Sequence, residues 1–110
     1  MNDIMESDWR HFRDMSPKLR DRYLAECNAR IVAMLTDPRK NVTERFWDAL
    51  EGMEKEAKVL QRCLDGHSRS KMWVFMLSMI GSGMLKKEDM GVFSEELQKQ
   101  VSFAFEKSED

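Results

Sequence analysis

The stretch LRDRYLAECNARIVAML, residues 19–35, decides the fold class. Leu19, Tyr23, Cys27, Ile31 and Leu35 recur at every fourth position without a break, and Leu24 and Met34 widen the row. Spacings of three and four bring side chains to one face of an α-helix. Working outward, Thr36-Asp37-Pro38 closes this helix, because a residue before proline is pushed out of the helical region. At the other end Ser16-Pro17 reads as a cap followed by proline at the first helical position. A separate short helix is therefore expected from Ser7, with Trp9 and Phe12 on one side.

Downstream the same period continues. Asn41 with Glu44 resembles a capping box. Phe46, Trp47, Leu50, Met53, Ala57, Leu60 and Leu64 then mark one face of a helix that Asp65-Gly66 stops. Gly52 lies off that stripe. Ser68 or Ser70 is the expected cap of the next helix, in which only Ser78 is polar between Met72 and Ile80. Gly81-Ser82-Gly83 ends it. A last helix is expected over 87–105, with Met90, Phe93, Leu97, Val101 and Ala104 or Phe105 at helical spacing. Val, Ile and Thr number eleven in all against ten Met, which disfavours a sheet. The expected fold is all-α, a compact bundle of four or five helices. At 110 residues it forms one domain over 7–105, between a flexible N-terminus at 1–6 and an acidic flexible tail at 106–110.

Charge narrows the function. The net charge is −2, and it is spread evenly: residues 1–35 hold six bases and six acids, 36–65 six and seven, and 66–110 six and seven. No segment offers a basic face, so nucleic acid and anionic membranes are disfavoured partners. The longest apolar stretch, residues 72–85, is shorter than the ~20 residues that span a bilayer. The acidic, polar start lacks the pattern of a signal peptide, and two cysteines make no disulfide framework. A cytoplasmic location is the expectation.

Catalytic patterns are sparse. The chain has no Gly-x-Ser-x-Gly, phosphate-binding glycine loop or Cys-x-x-Cys. Asp8-x-x-His11 and the Cys63/His67 pair fall short of a metal set, so no metal and no cofactor are expected. Glu51-x-x-Glu54 could be half of an acidic site, but Glu51/Lys55 and Glu54/Lys58 are ordinary opposite charges on a solvated helix. More suggestive is Ser68-Arg69-Ser70-Lys71, which gathers hydroxyls and cations at a helix start, where an anion could dock. A helix-turn-helix over 36–50, with Arg39 and Arg45 on phosphates, is a third possibility, opposed by the acids of the following helix.

The methionine-rich helix is the feature least like an average protein. An all-round apolar helix is either central to the bundle or covered by another chain. Met72, Trp73, Phe75, Met76, Met79 and Met84 are thus the expected contact surface, with Trp9 and Phe12 as further exposed aromatics. The expected function is a non-catalytic interaction module, an adaptor or small regulatory subunit, homodimeric through this helix. The alternative is small anionic-ligand binding or hydrolytic chemistry at Ser68, Arg69, Ser70 and Lys71.

Overall fold

Thirty residues, Glu6–Leu35, form one unbroken helix, α1, in the computed structural model of the chain, which describes residues 4–108. The break expected at Ser16-Pro17 is absent. Ser16 turns its hydroxyl back to donate to the Phe12 carbonyl at 2.8 Å instead of capping a new helix. Phe12 and Leu19 stand two turns apart on one face, 0% and 3% exposed, and a continuous helix buries both. That packing outweighs the ~3 kcal/mol cost of an interior proline.

Thr36 ends α1, its amide donating to the Val32 carbonyl. After a short loop, Asn41 opens α2, Val42–Leu64, through a complete capping box: Asn41 Oδ1 accepts from the Glu44 amide at 2.8 Å, and Glu44 Oε1 accepts from the Asn41 amide at 3.1 Å. Gly66, at φ +82°, carries the chain out of α2. A single 3-10 turn, Arg69–Lys71, leads into α3, Met72–Ser82, and neither Ser68 nor Ser70 caps that helix. Gly83 adopts the left-handed conformation at φ +84°, which lets the amides of Gly83 and Met84 satisfy the Ile80 and Met79 carbonyls.

The last expected helix is divided. Lys87–Val92 is a 3-10 segment, and α4 begins only at Glu95 and runs to Ser108. A polar lock imposes the division. Asp8, 3% exposed, accepts from the Ser94 amide at 2.8 Å and from its hydroxyl at 2.7 Å, while Ser94 Oγ accepts from the Leu97 amide. The start of α4 is thereby tied to the start of α1.

The chain is all-α: four α-helices, two short 3-10 segments and, among the described residues, no strand. Residues 1–3 and 109–110 of the expected flexible ends lie outside the described residues. Ile4 packs against the core, and Arg69 holds its carbonyl at 2.6 Å and the Glu6 carboxylate at 2.7 Å. Residues 106–108 continue α4.

The helices are unequal in length, and that shapes the molecule. Antiparallel α1 and α2 are long, whereas α3 and α4 cover only the half near the start of α1 and the end of α2. This half holds the core, from Phe12 to Cys27 on α1, Cys63 on α2, and the buried faces of α3 and α4. Beyond it the α1–α2 hairpin projects as two helices alone, and the extents are 53 × 28 × 20 Å. Ile31 and Ala49 are buried in that projection, outside the main core.

Candidate functional site

The methionines of α3 face inward. Met72, Met76 and Met79 are 0% exposed and Met84 1%, all within the core of the single chain. The contact surface expected there therefore needs correction, because four of its six residues have no surface to offer. Trp73 and Phe75 are half-buried against the same core, and the Trp73 indole N–H is buried without a partner. Phe12, expected as an exposed aromatic, is fully buried, and Trp9 is half-buried with its ring stacked on Phe12. Of α3's large side chains, Val74 is the exposed one.

The anion candidates are only partly brought together. Ser68 and Ser70 hydroxyls lie 3.4 Å apart, and Lys71 is exposed. Arg69, however, points its guanidinium at Glu6 and the Ile4 carbonyl, so the strongest anion ligand of the group closes the chain's own N-terminal end. His67 lies edge-on to Phe75 and beside Phe12, its Nε2 2.7 Å from the Cys63 carbonyl, in a structural setting. No group of three or more His, Cys, Asp or Glu among the described residues is placed to hold a metal ion. Nor is any helix there long and apolar enough to cross a membrane.

The arginines of the helix-turn-helix candidate are also engaged. Arg39 forms a two-pronged bond with Asp37, whose pKa falls to about 2 through the Arg39 side chain and amide. Arg45 donates to the Asp37 carbonyl, and Lys40 pairs with Asp48. These contacts stiffen the connecting loop.

The helix ends on either side of that loop carry most of the exposed large hydrophobic residues among the described residues. Val42 is 76% exposed, Trp47 59%, Phe46 56%, Met53 52% and Leu50 37%, and on α1 Val32 and Leu35 are exposed too. The Phe46 and Trp47 rings meet edge to face at 5.1 Å. Such exposure follows from which face α2 gives to α1. Arg45, Ala49, Gly52, Glu56 and Cys63 take the inner face of α2, and the apolar stripe beside them is left exposed. Gly52, off the stripe in sequence, is the contact point: a Cβ there would lie 3.0 Å from Met34 Sδ and 3.1 Å from Ile31 Cδ1. Small residues let the helices approach closely, so the seam needs none of the large side chains.

Polar anchors fix this orientation. Glu56 accepts from the Tyr23 hydroxyl and, at 2.8 Å, from Arg30. Burial works to raise the Glu56 pKa, but these two hydrogen bonds prevail and hold it below its ordinary value. The Tyr23 phenol is pushed well above its usual range by burial and by the adjacent carboxylate. Burial likewise raises the Cys27 thiol, which keeps it protonated and unreactive. One flank of the hairpin, with Met34, Asp48, Glu51 and Lys55 around a shallow depression, is polar. Comparison with protein-family models, curated proteins and solved structures gives no match.

Proposed function

We propose that the protein is a non-catalytic interaction module whose contact surface is the projecting α1–α2 hairpin. The observation that carries the reading is the outward apolar face of α2, where Phe46, Trp47, Leu50 and Met53 stand exposed on a helix that is otherwise anchored. Contiguous exposed apolar residues on a soluble chain mark interaction sites, and aromatics with methionine suit the centre of such a patch. The body then acts as a mount: its methionine core and the Asp8–Ser94 lock hold the base of the hairpin while the tip engages a partner. Adaptor or small regulatory subunit remains the class of function this supports.

Photo-crosslinking tests the reading. A photoreactive residue at Trp47 or Met53 should yield saturable adducts in cells that Phe46→Asp abolishes. The same residue at Asp14, exposed on the body, should yield none. Adducts that form equally at Asp14, or that survive Phe46→Asp, would remove the hairpin as the contact surface.

A further inference from the structure

We infer that the occupant of the hairpin face is a second copy of this chain, packed antiparallel along α2. The inference rests on the interaction reading above and names its partner. Phe46, Leu50, Met53, Ala57, Leu60 and Leu64 follow spacings of 4, 3, 4, 3 and 4, the seam of a coiled coil. Leu60 and Leu64 are covered by the chain's own core, while Phe46 to Ala57 lie bare. Thr43 and Glu54 border the bare part.

Three properties of this face favour a copy of itself. A two-fold contact requires a patch complementary to its own image. In the antiparallel register that pairs Phe46 with Ala57 of the second copy, Leu50 meets Met53 of that copy, and the reciprocal pairs repeat both matches. The largest seam side chain then faces the smallest. Charge follows the same symmetry. Along α2 the first part carries Glu44, Asp48, Glu51 and Glu54 against Arg45, and the second carries Lys55, Lys58 and Arg62 against Glu56. Antiparallel packing sets the acidic part of each helix beside the basic part of the other, whereas parallel packing would oppose like charges. Among the described residues Lys58 and Arg62 make no ion pair within the chain. Shape agrees as well. The bare seam ends where the body begins, so the two bodies fall at opposite ends of a four-helix bundle made from both hairpins.

Sedimentation of the full chain across a concentration series is the test. The expected result is a reversible dimer of twice 13.0 kDa at micromolar concentration, weakened at least tenfold by Phe46→Asp with the helical circular dichroism unchanged. Reversing the basic part with Lys58→Glu and Arg62→Glu should weaken it at low salt. Register is checked by oxidation: Phe46→Cys chains mixed with Ala57→Cys chains should cross-link, and neither should cross-link alone. A chain that stays monomeric to ~1 mM overturns the inference, and so does a dimer indifferent to Phe46→Asp. If such a monomer still gives Phe46-dependent adducts with a different protein, self-association fails alone; if it gives none, the interaction reading fails with it.

Discussion

The two most apolar helices of this molecule, α3 and α2, meet opposite fates. Helix α3 is apolar on nearly every side and is enclosed by the body of its own chain. Helix α2 is apolar on one side, and that side is left uncovered at the hairpin tip. All-round apolarity is a demand for enclosure, and a small bundle can meet it by wrapping its other helices around one. A one-sided helix demands only a surface. Which surface covers it depends on competition between its faces, and here the polar and small residues of α2 win the intramolecular contact. Tyr23 and Arg30 bind Glu56, and Gly52 admits Ile31 and Met34 more closely than any larger residue would.

The largest test of this contrast strikes the body. Met76 is fully enclosed, so Met76→Ala should lower the unfolding free energy of dilute protein by about 2–5 kcal/mol, as other buried truncations do. Urea unfolding followed by circular dichroism measures it. A cost below about 1 kcal/mol would mean that α3 is not packed as described, and the contrast with α2 would collapse.

Much of the enclosure was legible in the residues. The four-residue row of α1, the Asn41 capping box and the glycine stops at 66 and 83 are local signals, and local chemistry decides them. Two boundaries set by distant residues were not legible, and neither was the 3-10 turn that precedes α3. Whether Ser16-Pro17 ends a helix depends on the distant groups that bury Phe12 and Leu19, and the start of α4 depends on Asp8, 86 residues from Ser94. The site was misplaced for a related reason. Sequence weighs how apolar a segment is, which favours α3 as the sticky surface, but it carries no record of how much of that segment the chain itself covers. One signal did point to the α1–α2 contact: Gly52 off the apolar stripe, a residue that costs helix stability unless something must come close to it.

Acidification sharpens the contrast from the other side. Arg22 grips Asp89 with two hydrogen bonds, at 3.0 and 2.7 Å, and donates to the Met84 carbonyl, tying the 3-10 segment to α1 within the body. Burial alone would raise the Asp89 pKa, but Arg22 and the Lys86 amide hold it below 3.8. A carboxylate with a depressed folded pKa stabilises the fold above its unfolded pKa and loses that contribution as pH falls through the folded value. Arg22→Ala should therefore cost on the order of 1–2 kcal/mol at neutral pH, with the gap to the parent closing below pH 3.8. A gap that persists unchanged to pH 2 would assign the effect of Arg22 to packing.

The smallest expected effect is the most telling. Met53 resembles Met76 in chemistry and differs from it in being 52% exposed, so Met53→Ala should change the stability of the dilute monomer by no more than about 0.5 kcal/mol. The measurement must be made below the concentration at which any assembly forms, because a dimer would add its own stabilisation to the parent. In that limit the same substitution, Met to Ala, reads the environment alone. If it costs little when dilute and more as concentration rises, the apolar face of α2 contributes to an assembly and not to the fold, because only a contact between molecules depends on how many there are. If it costs as much as Met76→Ala at every concentration, the face is already covered by the chain, and an open tip could no longer be the basis for any partner.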